Sequence, residues 1–380
     1  MHAVSHLFWR ALGGPLLLGV CALAAVPGTV VAEAGSPNCT LFASPSGKNN
    51  ARGTARAPLR TIRALITRLR AGQIGCLAAG QTFNESVTLR GGETHGAEGS
   101  PVTLTSTDPR DPALISGAVA TEKGADWITF THLRFKSLNR GGLPSMIVAS
   151  RHTSWTYDDV TAPATICFNL VRNSYGVAED TLIEHSRIHG CGSQEKFACN
   201  QNTRFCETPP NDGFFLHGIY VAGATQTTIR NDYIYENADR GVQVRAGSRG
   251  VLVEHSIFDD NGEGLIYGEG ATHVTAQWNI ITDSHSPCGE ASGCYDYAAS
   301  EYEAAAADAF ANNDVYGNQC ANPKPACYPN RGNIERMNRV TVGRNLEVDP
   351  LYLDAAARSY TLRPNSPVLG YGPDTAQPAP

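Results

Sequence analysis

Three segments of the chain align without gaps and decide its fold. They are HGIYVAG at residues 217–223, RGVQVRAG at residues 240–247 and EGLIYGEG at residues 263–270. Their second residues, Gly218, Gly241 and Gly264, are 23 residues apart twice in succession. A fixed period of this size indicates a solenoid, in which each repeat is one structural unit stacked on its neighbours.

A second series of segments recurs with a similar period. Its members are LIEHSRIHG (182–190), TIRNDYIYEN (228–237), VLVEHSIFDDN (251–261), VTAQWNIITDS (274–284) and AFANNDVYGN (309–318). Each repeat holds short runs rich in Val, Ile, Thr and Tyr, which alternate apolar and polar residues between Gly, Asn and Asp turns. Such a repeat is too short to hold a full crossover helix, but it fits three short strands as one coil. The sequence therefore predicts an all-β fold, a single-stranded right-handed parallel β-helix.

The alternation also predicts which residues form the core. Apolar residues at alternate positions of a strand point to the same side, and in stacked coils they form ladders with a spacing of about 4.8 Å. The inward positions are expected to be Ile219, Val221, Ile229, Val242, Val244 and Leu265.

The composition limits the class of protein and its partners. Of the 380 residues, 42% are apolar and only 17% are charged, with 38 Gly and 22 Pro. These values exclude a disordered chain and a coiled coil, and they are typical of a turn-rich β protein. The net charge of −6 predicts no binding to nucleic acid or to an anionic membrane.

Residues 1–34 have the features of a secretion signal peptide. Arg10 precedes an apolar stretch from residue 11 to residue 26, and Ala32-Glu33-Ala34 offers a cleavage site of small residues. Gly and Pro shorten the apolar stretch below the length of about 20 residues that a membrane span needs. We therefore expect a secreted or cell-surface protein with no transmembrane anchor after removal of the signal, and one β-helix domain at residues 35–380.

The cysteines agree with export. With Cys21 in the signal peptide, ten cysteines remain, and an even number in an exported chain predicts five disulfides. The spacing suggests these pairs, although the connectivity stays open: Cys39 with Cys76, Cys167 with Cys191, Cys199 with Cys206, Cys288 with Cys294, and Cys320 with Cys327.

The repeats resemble the parallel β-helix repeat of the pectate-lyase-like superfamily. Residues 53–75 resemble the opening segment of its secreted members, where a short amphipathic helix caps the first coil, and residues 345–373 resemble the closing segment. An apolar stripe in the first of these segments supports the helix independently. The stripe consists of Leu59, Ile62, Leu65, Ile66 and Leu69. The resemblance implies the fold and a carbohydrate-active protein, but it does not choose among lyases, epimerases, hydrolases and proteins without a reaction.

The polar residues of the cleanest repeats are the candidate site. His217, Arg240 and Glu263 precede the aligned glycines and are expected to form one column, with Tyr220 and Gln243 in the next. Arg245 and Glu269 lie close to both columns and are predicted to bind substrate with Gln243. A β-eliminating lyase needs a cation to neutralise the uronate, a base for the C5 proton and an acid for the leaving oxygen. Arg240 is the predicted cation, His217 or Tyr220 exchanges protons, and Glu263 completes the predicted catalytic set.

The insertions at residues 191–212 and 286–307 would be the walls of a cleft over this floor, and an acidic polysaccharide is the expected partner. The alternatives are a row of surface ion pairs, a non-catalytic glycan-binding or cell-surface structural β-helix protein, and a hydrolase that uses Asp212, Asp259 and Asp260. The cofactor is unknown. No motif supports calcium clearly, and the acids that it would use are Asp239, Asp259, Asp260 and Glu263.

A repeated Glu-His-Ser at residues 184–186 and 254–256 invites interpretation as part of a catalytic triad. Adjacent residues of a strand point to opposite faces, so neither copy can form the triad geometry by itself. We predict that both copies are ladder or turn positions.

Overall fold

The computed structural model of this chain describes residues 37–137, 144–192, 216–245, 247–284, 297–302, 307–318, 334 and 337–374. The predicted signal peptide, both predicted wall insertions for the most part, and the cysteine pairs 199/206, 288/294 and 320/327 lie outside these residues. The other two predicted disulfides, Cys39–Cys76 and Cys167–Cys191, are present.

Three long parallel sheets form the body of the molecule, and each complete coil of the chain gives one strand to each sheet. Sheet 1 contains β1 Leu41–Ala43, β2 Ile74–Leu77, β5 Val102–Ser106, β8 Ile128–Thr131, β11 Thr153–Thr156, β15 Leu182–Glu184, β18 Thr228–Arg230, β21 Leu252–Glu254, β24 Thr275–Gln277, β27 Asp308–Ala311 and β29 Val340–Val342.

Sheet 2 contains β4 Val87–Leu89, β7 Val119–Thr121, β10 Met146–Val148, β13 Phe168–Asn173, β17 Ile219–Ala222, β20 Arg240–Arg245, β23 Glu263–Gly268 and β26 Ala299–Tyr302, and β14 Gly176–Val177 pairs antiparallel with β13. Sheet 3 contains β3 Thr82–Phe83, β6 Leu114–Ser116, β9 Arg134–Lys136, β12 Asp159–Thr161, β16 Arg187–His189, β19 Tyr233–Tyr235, β22 Ile257–Asp259, β25 Ile280–Thr282 and β28 Asp314–Tyr316. The predicted parallel β-helix is confirmed.

The core fills the space that the three sheets enclose. The predicted inward residues of the central repeats are all 1% exposed or less. Farther towards the N-terminus, the Phe130 and Trp155 rings stack with centroids 4.0 Å apart, and Phe168 meets Trp155 edge-on at 5.4 Å. Such interior packing of large rings adds stability to each coil beyond its backbone hydrogen bonds.

A ladder of polar side chains runs along the turn between sheet 1 and sheet 3. In every coil of the ladder, the side chain accepts a hydrogen bond from the backbone N–H of the preceding coil. Its seven rungs are Asp158, Ser186, Asp232, Ser256, Asn279, Asn313 and Asn345. Buried N–H groups without a partner are costly, so these side chains stabilise the stacking of the coils. We call this set the turn ladder.

The two terminal segments of the chain pack on the solenoid in different ways. At the N-terminal end, the helix α1 Ile62–Ile66 buries Ile62, Leu65 and Ile66, and the side chain of Thr61 caps it by accepting from the N–H of Ala64. The predicted capping helix is therefore confirmed, although it is short.

At the other end, a hairpin of β30 Tyr352–Asp354 and β31 Ser359–Leu362 belongs to the C-terminal segment. This segment packs Tyr360 and Val368 on Tyr233, Ile257 and Ile280, which lie on sheet 3. Among the described residues, none of the helices has both the length and the apolar character that crossing a membrane requires.

Candidate functional site

The strands of sheet 2 align the predicted site residues in the expected register. Tyr220 pairs with Gln243, and Gln243 pairs with Ile266 on the next strand. Arg240 pairs with Glu263, and the same register places His217 opposite Arg240. Both predicted columns are therefore present at β17, β20 and β23.

The first column is a buried network, which we call the acid–base row. Arg240 donates to Asp239 over 2.6 Å and to Glu263 over 3.3 Å. The other oxygen of Glu263 accepts a hydrogen bond from Ser300, and His217 Nδ1 lies 3.4 Å from Asp239. The alternative of a surface ion-pair row does not describe these residues, because Glu263 is only 3% exposed and His217 only 1%.

Burial controls the charges of this row. Burial, and then the positive charges of Arg240 and Arg245, lower the pKa of His217 well below its usual range. Burial also raises the pKa of Asp239, against the opposing effect of Arg240. His217 is therefore neutral at physiological pH.

The second column contains a more accessible cluster, the tyrosine–arginine pair. Arg245 donates a hydrogen bond to the phenol oxygen of Tyr220 over 3.0 Å, and its other terminal nitrogen forms an ion pair with Glu269. The Arg245 side chain is 32% exposed, twice as much as the 15% of Arg240. The Tyr220 ring also lies 5.2 Å from the His217 ring, which joins the two clusters.

The aligned glycines bring the coils close enough for these contacts. A Cβ atom at Gly218 would lie 2.7 Å from the carbonyl oxygen of Gly241, and one at Gly264 would lie 2.4 Å from that of Ala298. Real Cβ atoms do not approach so closely, so any side chain there would push the coils apart. The glycines that reveal the repeat in the sequence therefore set the geometry of the acid–base row.

Two polar residues of the site were not found from the sequence. Asn169 on β13 pairs with Tyr220, and Ser300 on β26 pairs with Ile266. Long insertions separate each from the clean repeats, so the period of 23 residues does not reach them. The only available signal was the alternation in FNLVRN, which places Asn169 between two core residues.

Two side-chain oxygens on this face are buried without a hydrogen-bond partner among the described residues. They are Oδ1 of Asn169 and Oε1 of Gln243, and Asn169 and Gln243 flank Tyr220 on the two neighbouring strands. Such orphaned oxygens are uncommon in folded proteins and often mark functional positions.

The other sequence candidates that lie in the described residues have structural roles, and Asp212 lies outside those residues. Ser186 and Ser256 of the two Glu-His-Ser copies are rungs of the turn ladder, which confirms that prediction. Asp259 accepts from Tyr360 over 2.9 Å and from Arg358 over 3.2 Å, and is 3% exposed. In the part of the chain that the structure describes, no group of three or more His, Cys, Asp or Glu side chains is placed to hold a metal ion.

Comparison with known proteins agrees with this architecture. A family model described as "Right handed beta helix region" matches residues 168–321. The pectate lyase Pel9A has a similar structure, with a TM-score of 0.59 at 12% identity over 88% of this chain and 87% of that one. No curated protein sequence matches this chain.

Two further solved structures are similar at low identity. A rhamnogalacturonan lyase gives a TM-score of 0.53 at 9% identity, over 88% of this chain and 95% of that one. A lacto-N-biosidase from Eubacterium ramulus gives 0.51 at 12% identity, over 81% and 67%. At these identities the likeness establishes the fold. The chain is a right-handed parallel β-helix, similar in fold to these solved structures.

Proposed function

We propose that this protein is an exported carbohydrate-active enzyme that binds an acidic polysaccharide on the outer face of sheet 2 and cleaves it by β-elimination. The tyrosine–arginine pair carries the proposal, because it joins a partly exposed cation to a phenol oxygen over 3.0 Å. Two proteins of similar fold are by name a pectate lyase and a rhamnogalacturonan lyase, which supports the substrate class.

The pair supplies the cation and the proton carrier that β-elimination needs. Arg245 would neutralise the uronate carboxylate, so that the C5 proton becomes easier to remove. Tyr220 would take that proton as a phenolate, which the neighbouring guanidinium stabilises. The resulting phenol would give a proton to the leaving oxygen as the C4–O bond breaks and the C4–C5 double bond forms. Asn169 and Gln243, one on each side of Tyr220, would orient the sugar through their amide groups.

The acid–base row has a supporting role in this proposal. Arg240 already contacts two carboxylates, so it is less suited than Arg245 to neutralise a substrate. The neutral His217 imidazole lies beside the Tyr220 ring and would hold that ring in position. The roles of Arg240 and Glu263 are to hold this histidine and the coil in place.

Export through the predicted signal peptide belongs to the same proposal. The disulfides Cys39–Cys76 and Cys167–Cys191 suit an oxidising compartment outside the cytosol. A polysaccharide substrate would also be met there.

The test is to incubate the mature protein with pectin, alginate, glycosaminoglycans and neutral glycans, with and without calcium. Ultraviolet absorbance of the new carbon–carbon double bond and the release of reducing ends are followed together. Both signals are expected on an acidic polysaccharide. Reducing ends without the absorbance would establish hydrolysis instead and contradict the proposal.

The variant that tests the pair is Arg245→Gln, and Arg172→Gln is its control. Both arginines lie on strands of sheet 2, and Arg172 donates to the carbonyl of Gly223 over 3.2 Å. Arg245→Gln should remove turnover, whereas Arg172→Gln should retain it. Equal activity of the two variants would exclude Arg245 from the reaction.

A non-catalytic glycan-binding protein is the second candidate, and the burial of the acid–base row favours it. A histidine that is 1% exposed and an arginine held by two carboxylates are common in a purely structural network. Binding of an acidic polysaccharide without either product signal would support this candidate.

A further inference from the structure

The charges of the molecule are distributed very unevenly. Residues 36–84 contain Lys48 and six arginines but no Asp or Glu, whereas residues 85–380 carry 22 Lys and Arg against 35 Asp and Glu. The overall charge of −6 conceals this local excess. All seven cations of the first stretch are exposed.

These cations are held on one small unit of structure. Arg68 donates to the backbone carbonyls of Asn49 and Ala51, over 2.6 and 2.7 Å. The side chain of Asn49 accepts from the backbone N–H of Arg60 over 3.1 Å. The loop between β1 and α1 is therefore fixed against the helix, and it carries Lys48, Arg52, Arg56 and Arg60. We call this surface the basic cap and define it by Lys48, Arg52, Arg56, Arg60 and Arg68.

The basic cap lacks the acidic partners that usually accompany surface cations. Within the described ranges, no carboxylate forms an ion pair with any of its five members, whereas the neighbouring Arg63 pairs with Glu93 over 2.8 Å. Most protein surfaces intersperse both signs of charge, and a field of one sign attracts a partner of the opposite sign.

We propose that the basic cap is a second binding surface, separate from the face of sheet 2, and that it takes an acidic polysaccharide through its carboxylate or sulfate groups. Guanidinium groups match such anions because they can form two parallel hydrogen bonds with them. The polysaccharide class rests on the proposed function, but the surface does not.

The chemistry of the cap favours this partner over nucleic acid or a membrane. The large apolar side chains that are exposed in the described residues all lie outside it, at Tyr157, Tyr175, Tyr316, Leu353 and Leu369. The cap thus offers no aromatic ring for base stacking and no apolar residue for insertion into lipid.

The location of the cap gives it a function of its own. The strand β20 of the candidate site lies five strands along sheet 2 from β4, which corresponds to roughly 25 Å at the usual strand spacing. A polymer bound at the cap would stay close to the cleft between encounters, and this linkage raises its local concentration there.

The experiment measures the affinity of the mature chain for polygalacturonate, alginate and chondroitin sulfate at low and moderate salt, with dextran as the neutral polymer. The variant is Arg52→Gln/Arg56→Gln/Arg60→Gln. The control is Arg134→Gln/Arg249→Gln/Arg344→Gln, which removes the same charge from exposed positions elsewhere. We expect the cap variant to bind at least one acidic polymer about tenfold more weakly or worse, with a flatter salt dependence, and the control to change about twofold or less.

Equal weakening of both variants, or no binding of any acidic polymer by the native chain, would overturn the proposal. Tighter binding of a single-stranded oligonucleotide or of phosphatidylserine vesicles would overturn the partner class. If the triple variant does not fold, the three single variants are measured, and each should bind the acidic polymer more weakly. Native affinity in all three single variants would also contradict the proposal.

The experiments distinguish a failure of the basic-cap proposal from a failure of the proposed enzyme activity. The cap variant should retain its rate on short oligosaccharides, and a Tyr220→Phe chain should retain cap binding. Loss of binding at the cap with normal turnover therefore disproves this inference alone. Absence of turnover with normal cap binding disproves only the proposed enzyme.

Discussion

Polar side chains are buried in two regions of this molecule, the turn ladder and the acid–base row, and the two regions bury them differently. In the turn ladder each side chain satisfies a backbone N–H of the preceding coil, and Asp, Ser and Asn replace one another from rung to rung. In the row the side chains satisfy one another, through pairs such as Arg240 with Glu263. Interchangeable residue types indicate a structural role, and a specific set indicates a chemical one.

The largest expected effect comes from breaking the turn ladder at Asn279. Its side chain accepts from Ser256 over 3.0 Å and donates to Val253 and Asn313 over 3.0 and 2.9 Å. Asn279→Ala leaves the N–H of Ser256 buried without a partner and removes both donated hydrogen bonds, so we expect the free energy of unfolding to fall by about 3 kcal/mol. Urea denaturation measures it. The nearby Gln277→Ala, which loses one hydrogen bond to Glu254, is the control and should cost less than about 1 kcal/mol.

Binding of an acidic polysaccharide at low temperature should be the same for Asn279→Ala as for the native chain. A variant that is stable but fails to bind would give the turn ladder a functional role, and the turn ladder and the acid–base row would then no longer differ in this respect.

The sequence predicts the turn ladder better than the row, and the reason is physical. A ladder rung needs only a short polar side chain at one place in every coil, so it repeats with the backbone period, as in Ser186 and Ser256. The row depends on which side chains meet across coils and on how deeply they are buried. The period predicted the columns at Arg240 and Glu263, but it could not reveal that His217 is almost fully buried.

Asp239, which holds both His217 and Arg240, also has no counterpart in the neighbouring repeats. The sequence marks it only as an acid next to Arg240 and suggests calcium as its partner. Its contacts to a histidine and an arginine follow from the path of one turn, which the period does not specify.

The next largest effect tests a residue with a proposed role in the chemistry. Tyr220→Phe removes only the phenol oxygen that Arg245 contacts. If Tyr220 takes the C5 proton, kcat should fall by about a hundredfold or more, with an unchanged melting temperature. Tyr316→Phe on the outer face of sheet 3 is the control, because its ring is 38% exposed and far from the pair. A Tyr220→Phe enzyme of normal kcat would assign the proton transfer to another group.

A smaller effect tests whether Asp259 has a structural or a catalytic role. Arg358 contacts Asp259, Asp260 and Glu236, and it fastens the C-terminal segment to sheet 3. Arg358→Gln should lower the free energy of unfolding by about 1 to 2 kcal/mol, since the arginine is partly exposed and the loss is reduced by solvent. Turnover should be unaffected. A hydrolytic activity that disappears with Arg358→Gln would instead place Asp259 among the functional acids.

The smallest effect is a gain in stability within the turn ladder itself. Burial raises the pKa of Asp232 well above its usual range, and Oδ2 of this residue has no hydrogen-bond partner among the described residues. The equivalent Asn279 uses its amide nitrogen to donate to a carbonyl of the preceding coil. By the register of the strands, Asn at position 232 would donate to the carbonyl of Ile183. We therefore expect Asp232→Asn to stabilise the fold by about 1 kcal/mol at neutral pH.

The pH dependence identifies the cause of this gain. A carboxyl group whose pKa is raised by folding contributes its full stability below the pKa of the unfolded chain, about 4, and loses it as the pH rises through the folded value. The native chain should therefore lose stability relative to Asp232→Asn on going from pH 4 to pH 8, as measured by urea denaturation at both values. A difference between the two proteins that does not change with pH would mean that the added hydrogen bond, and not the buried charge, is responsible. A native chain more stable than Asp232→Asn at pH 8 would show that this rung requires an acid, and Asp232 would then leave the interchangeable class.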